Sequence, residues 1–246
     1  MKIDRYKLLK NDMYEVVLGS NTFVLHSDLI LKYNLLIRSD ITLKELEEYQ
    51  IENEVYEGYN IALKMLSTKN RSYKELVEAL KKKELNPDSA TKAVDILVKQ
   101  GYVNDKNYAK YFVHDQVLLT NNGPFKIRKL LEEKGVSSNY ISEALEDYSI
   151  KDQEEKIKKL INRQIKSNTN KSSMMLRKKI GDYLNDMGYS YSIYEKYLSN
   201  IDINDREAYT KTLEKVRREL SRKYKGEDLE FRIRQKMYAK GFRDYE

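Results

Sequence analysis

"NGPFKIRKLLEEKGV", residues 122–136, is a helix with both of its ends written into the sequence. Pro124 suits the first turn, because the N–H that a proline lacks would be unpaired there in any case. Ile127, Leu130, Leu131 and, beyond the ending turn, Val136 fall on one apolar face. Gly135 supplies a left-handed stop. The same design recurs along the chain. Leu76, Ile127, Ile180 and Ile233 correspond, at intervals of 51, 53 and 53 residues, and four residues on from each come Leu80, Leu131, Leu184 and Met237. Eight residues on stand Glu84, Gly135, Gly188 and Gly241, followed by the apolar Leu85, Val136, Tyr189 and Phe242. Three of the four copies thus end in glycine and a large apolar residue, the signature of a helix stop with a hydrophobic contact beyond it.

Each anchor helix follows another helical stretch: "YNIALKMLS", "NYAKYFVHDQVLL", "KIKKLINRQI" and "TLEKVRRELSRKY". In the first three copies a third helix comes after it: "SATKAVDILVKQGY", "SNYISEALEDY" and "SIYEKYLSNI". A three-helix unit of about 50 residues buries little by itself, so stacked neighbours must complete its core. The expected fold is mainly α: tandem three-helix repeats forming an elongated curved array, with a small N-terminal antiparallel β meander. The strands are expected at residues 2–9, 13–18 and 22–26, separated by the turn-like "KND" and "GSN". A helix begins near Ser27, and residues 39–67 read as two helical segments, the first opened by a Thr42–Glu45 capping box. The domains expected are 1–60 (meander and linking helices), 61–112, 113–150 and 151–204 (repeats 1 to 3), and 205–246 (a truncated repeat 4).

The absence of cysteine excludes disulfides, thiolate zinc sites and cysteine nucleophiles. No signal-like apolar segment opens the chain and no apolar run of membrane-spanning length occurs, so a cytoplasmic monomer without membrane contact is expected. The net charge of +7 is unevenly spread: −4 over residues 1–60, +3 over 61–150 and +8 over 151–246. A basic C-terminal half suits a polyanionic neighbour, either nucleic acid or an acidic protein surface.

Catalytic constellations are missing from the sequence. His26 and His114 stand 88 positions apart and read as surface or packing residues. No phosphate loop, dinucleotide turn, nucleophile elbow or zinc-binding HExxH occurs. The carboxylate clusters at 44–54 and 152–155 lie among lysines at helical spacing and read as charged surface, and Asp105 in "GYVNDKNYA" reads as part of a helix N-cap. No enzyme is expected. The basic positions carry more. Lys126, Lys179 and Arg232 immediately precede the repeated anchors, with Glu75 in the first copy, and Arg128, Lys129, Arg177, Lys178, Arg234 and Lys236 stand nearby. Such a ladder of cations suits phosphate contacts or an acidic protein groove. Tyr183, Tyr189, Tyr191, Tyr194 and Tyr197 read mostly as core residues with their hydroxyls at the surface, although some could stack on bases.

Three segments also carry a resemblance. Residues 122–136 resemble the G-P-x-x-I-R-x-x-L-x-x-K-G-[IV] signature of the RecX regulatory proteins. Residues 97–113 resemble that family's L-x-x-x-G-Y-[ILV]-x-D-x-x-[FY]-[AV] segment through Leu97, Gly101, Tyr102, Val103, Asp105, Tyr108 and Ala109. Residues 71–80 resemble its R-S-x-x-E-L opening through Arg71, Ser72, Glu75 and Leu76. The segments stand in the family order and cover residues 62–148. The resemblance implies tandem three-helix repeats, no catalysis and no cofactor. It further implies binding to the RecA recombinase and to its filament on single-stranded DNA, with inhibition as the usual effect and direct DNA contact in reach of the basic residues. A stand-alone nucleic-acid-binding repeat protein is the alternative.

Overall fold

The computed structural model describes residues 2–10, 12–38, 40–201 and 205–243. The chain forms two compact units, one of residues 1–111 with 131–141, the other of residues 112–130 with 142–246. The boundary expected at residue 204 lies outside the described residues.

The first unit begins with the meander. Strands β1 (Arg5–Leu8), β2 (Met13–Leu18) and β3 (Asn21–His26) pair antiparallel in the order β1-β2-β3. Val16, Leu18 and Leu25 point to one face and are buried with Ile3, Leu29, Ile30, Leu35 and Ile41. Helix α1 (Ser27–Lys32) starts directly from β3, and His26 caps it: its Nδ1 accepts the Asp28 N–H at 3.2 Å.

Helix α2 (Leu43–Leu66) corrects one expectation, because residues 39–67 hold a single 24-residue helix rather than two. Its capping box is as expected, with Thr42 and Glu45 each satisfying the other's backbone N–H. Gly58 within it is helical and buried, and a Cβ there would stand 2.8 Å from Leu85 and 3.0 Å from Ala93. It lets the following helices approach closely. The N-terminal half of α2 packs Leu46 and Tyr49 into the meander core, and Ala62 near its other end joins a second core with Leu76, Leu80, Val94 and Leu97. Buried Asn53 ties the two structures together, accepting the His26 N–H at 2.6 Å and donating to Glu57 at 2.9 Å.

The remaining helices are α3 (Tyr73–Lys81), α4 (Pro87–Lys99), α5 (Asp105–Leu119), α6 (Pro124–Glu133), α7 (Ser138–Glu146), α8 (Ile150–Ser167), α9 (Ser173–Asp186), α10 (Tyr191–Ser199), α11 (Arg206–Leu220) and α12 (Gly226–Ala239). The anchor helices are α3, α6, α9 and α12, and all eight anchor residues are buried. All four helices end alike. Glu84, Gly135, Gly188 and Gly241 take φ of 68°, 77°, 83° and 82°. The N–H of the next residue, Leu85, Val136, Tyr189 or Phe242, reaches back to the carbonyl of Leu80, Leu131, Leu184 or Met237 at 3.1–3.4 Å. This is the paired-bond helix stop in which a left-handed residue turns the chain and the following apolar side chain covers the last turn.

Three of these stops are also plugs. The carbonyl one residue before the glycine accepts a hydrogen bond from the N-cap of the preceding anchor helix. Ser72 Oγ donates to Lys134 O at 2.7 Å, the Gly123 N–H to Met187 O at 2.6 Å, and Ser172 Oγ to Lys240 O at 2.7 Å. The approach is close enough to exclude any side chain on the glycine. A Cβ at Gly135 would stand 2.7 Å from Lys74, at Gly188 2.4 Å from the backbone nitrogen of Lys126, and at Gly241 2.5 Å from Ser172 Oγ. Glu84 meets only the conformational demand, since its side chain is exposed.

An aspartate completes two of these joints. Asp105 accepts the Tyr73 N–H at 2.8 Å and Asp205 accepts the Ser173 N–H at 2.9 Å, each from 32 residues further along the chain. Asn104, rather than Asp105, caps α5, accepting the Asn107 N–H at 3.0 Å, so the expected cap holds for the asparagine while the aspartate caps a different helix. In the middle joint the equivalent first residue is Pro124, which has no N–H to offer, and 32 residues beyond it stands Lys156. That ammonium donates instead to the carbonyls of Val117 and Thr120 at the end of α5. Burial pushes it below the ordinary lysine range.

The first joint brings together several of the motif residues. Glu75 accepts the Ser72 N–H, the Tyr108 hydroxyl at 3.0 Å and the Lys134 ammonium. Burial opposes the charge on Glu75, but these three donors outweigh it and hold the carboxyl below its usual value.

Three outcomes follow for stability. Glu84→Gly relieves an exposed side chain held at a left-handed φ, and should raise unfolding free energy in urea by up to about 1 kcal/mol. Leu131→Ala removes a fully buried anchor and should cost about 2–5 kcal/mol in the same titration. Because the folded-state value of Glu75 lies below the ordinary 4.5, its contribution is fully present above that pH and fades as pH falls through the folded value. The stability gap between the wild type and Glu75→Gln should therefore be widest near neutrality and shrink on acidification below about 4.5. Asp105, raised by burial first and then by the neighbouring Glu75 charge, works in the opposite sense; only the part due to burial is common to both proteins and cancels in the difference.

Candidate interaction surface

All nine basic residues singled out from the sequence lie in the second unit, on α6, α9 and α12. The repeat sets their placement. The apolar anchor turns inward, and Lys129, Lys178 and Arg234, one or two positions from it, face solvent, while Arg177 and Lys236, three positions from it, are half-buried.

Internal partners divide the nine. Lys129, Lys178 and Arg234 are exposed, and among the described residues their side chains make no hydrogen bond or ion pair. Lys126 is half-buried beside the Gly188 plug, also without a side-chain partner among the described residues. The other five are engaged. Arg128 donates to Ser142 Oγ at 3.2 Å, Lys179 to Asn168 Oδ1 at 2.6 Å, and Arg177 to the Ile201 carbonyl at 2.8 Å. Arg177 keeps its buried Nε without a partner. Arg232 pairs with Asp228 at 3.0 Å and lies 4.1 Å above the Tyr224 ring, while Lys236 pairs with Glu219 at 2.7 Å. These two acid pairs are solvent-exposed and hold their cations weakly.

The tyrosines also divide. Tyr189 and Tyr194 are buried, and Tyr191 is exposed. The Tyr189 hydroxyl is not at the surface, as expected for a core tyrosine here, but meets the Tyr148 hydroxyl inside the core at 3.2 Å. Burial is the first cause of the rise in both phenols. The Tyr197 ring carries Lys158 and Lys196 above it at 4.9 and 5.0 Å.

His26 serves as a helix cap stacked on Tyr56, and His114 is exposed. Among the described residues no group of three or more histidine, aspartate or glutamate side chains is placed to hold a metal ion, and no helix is long and apolar enough to cross a membrane.

A basic feature missed in the sequence is a cavity of about 420 Å³ where the start of α9, the flank of α11 and the end of α12 meet. It gathers Lys171, Lys211, Lys215 and Lys240, from three separated stretches of chain. Lys171 fell in "KSNTNKSSMM", which has no periodicity to align, and α11 carries none of the anchor positions.

Comparison with known proteins accords with this architecture. The family models described as "RecX, first three-helix domain" and "RecX, second three-helix domain" match residues 59–97 and 104–145. The regulatory protein RecX of Streptococcus gordonii is 30% identical over 250 aligned residues, covering 100% of this chain and 96% of that protein. A crystal structure titled regulatory protein RecX superposes with a TM-score of 0.72 at 23% identity, over 79% of this chain and 97% of that one, a likeness of fold. The crystal structure of RecX from Lactobacillus salivarius gives a TM-score of 0.55 at 30% identity, over 60% of this chain and 98% of that one. With repeated anchors, left-handed stops and signature residues meeting at the first joint, and a full-length relative at this identity, the chain belongs to the RecX family of regulatory proteins.

Proposed function

We propose that this protein binds the RecA recombinase and its filament on single-stranded DNA, and inhibits the filament without catalysing a reaction or using a cofactor. The observation that carries the proposal is the set of exposed cations Lys129, Lys178 and Arg234, which have no internal partner among the described residues and lie in the more basic half of a RecX-family chain. Lysine and arginine held out on helices in this way meet acidic protein surfaces or phosphates with little desolvation, and they steer association through long-range attraction. Lys126, Arg128, Arg177, Lys179, Arg232 and Lys236 stand beside them on the same anchor helices and extend the proposed contact surface.

RecA-catalysed ATP hydrolysis on single-stranded DNA should fall when the protein is added at well below the RecA concentration. Unchanged hydrolysis up to equimolar protein would overturn inhibition of the filament. A fall that begins only when the protein covers the DNA would favour the stand-alone nucleic-acid reading. The combined substitution Lys129→Ala, Lys178→Ala and Arg234→Ala should leave helicity and Tm nearly unchanged, because these side chains make no internal bonds. It should shift the inhibition curve to higher protein concentration by about tenfold, each lost charge contact being worth a fraction of 1.4 kcal/mol.

A further inference from the structure

The cavity between the start of α9, α11 and the end of α12 lies outside the nine residues above. Lys171 comes from the turn before α9, Lys211 and Lys215 from α11, and Lys240 from the C-cap of α12. Among the described residues the ammonium groups of Lys171, Lys215 and Lys240 make no hydrogen bond or ion pair. Lys211 pairs with Glu207, an exposed contact one helical turn away. Among the described residues the one acid in the lining is Glu219, which accepts from Lys236, a residue outside the lining, at 2.7 Å. Lys215 and Lys240 still act on its carboxylate, which puts both within electrostatic reach of one point. Met175 supplies an apolar part of the wall.

Cations from three segments that converge on a concavity without partners repel one another until an anion enters. A concave, partly apolar wall focuses their field on that anion. The N-terminus of α9 contributes little here, since Ser172 and Asp205 already occupy its first N–H groups. The lysines themselves are the binding groups. They act as compact charges on flexible stems, which suits phosphate held by several of them together.

We propose that this cavity is a phosphate-binding site, whose ligand is the phosphodiester backbone of a nucleic-acid strand or the phosphates of a free nucleotide. The inference extends the proposed function and does not rest on it, because the site acts in the absence of RecA.

The test uses the full chain without RecA and a short fluorescent oligothymidylate, with anisotropy read across a salt series. The wild type should bind with a Kd that rises steeply with salt. The combined Lys171→Ala, Lys215→Ala and Lys240→Ala variant should bind at least about tenfold more weakly, with its salt slope lower by about three, one for each phosphate contact removed. It should keep the wild-type Tm, since Lys240 engages Ser172 through its carbonyl and not its side chain. Glu219→Gln removes the one opposing charge and should tighten binding severalfold. Competition by ATP as well as by unlabelled strand would assign the site to phosphates in general, and competition by strand alone would assign it to the phosphodiester backbone. Equal Kd and equal salt slope for the wild type and the triple variant would overturn the proposal, and so would a wild type that binds neither probe. Either negative leaves RecA inhibition, measured separately, untouched.

Discussion

A helix cannot satisfy its own last carbonyls, and the fold is organised around that shortage. At each stop the left-handed residue lets two backbone N–H groups turn back and take two of the orphaned carbonyls. The carbonyl of Lys134, Met187 or Lys240, next to the glycine, is then filled from outside by the N-cap of the preceding anchor helix. One contact thus completes two helix ends, the C-terminus of one anchor and the N-terminus of another. A three-helix unit with too small a core to stand alone gains order from its neighbour through this joint.

The joints keep the same geometry with different chemistry. Serine hydroxyls fill the carbonyl at the first and third, and the backbone N–H of Gly123 does so at the second, where there is no side chain to reach across. Aspartates 32 residues downstream cap the first helical N–H at two joints. At the middle joint proline removes that donor, and the position carries Lys156, which turns to carbonyls instead. A carboxylate there would face no N–H and would be an uncompensated buried charge, so the exchange of sign follows from the proline. The glycine–proline pair that opens "NGPFKIRKLLEEKGV" is therefore a joint as well as a helix start.

Much of this was legible because it is local. Anchor spacing, the glycine stops, the Thr42–Glu45 box and the three strands all depend on residues within one turn or hairpin of one another. What the sequence hid is long-range. Residues 39–67 read as two segments because what keeps α2 continuous past Gly58, the approach of Leu85 and Ala93, lies some thirty residues away. Asp105 looked like an ordinary cap because its partner, Tyr73, lies behind it in the chain. Among the candidate contact residues, spacing located the cations but could not tell Lys178, which is unengaged, from its neighbour Lys179, which Asn168 holds. The lysine-lined cavity was invisible for the same reason. Its members share no period, only a place.

The stop of α3 and the N-terminus of α12 differ from the rest of this scheme. Glu84 adopts the same left-handed backbone as the glycines, with its side chain exposed. Lys225, at the start of α12, sits in the N-cap position without a side-chain hydrogen bond, and a Cβ on Gly226 would touch nothing. A joint whose two halves differ is heterologous, so it does not close on itself. Nothing in such a contact counts its copies. The number of repeats is thus free to change by duplication of a segment without redesign of any interface, and glycine becomes obligatory at a stop only when the duplication gives that stop a neighbour.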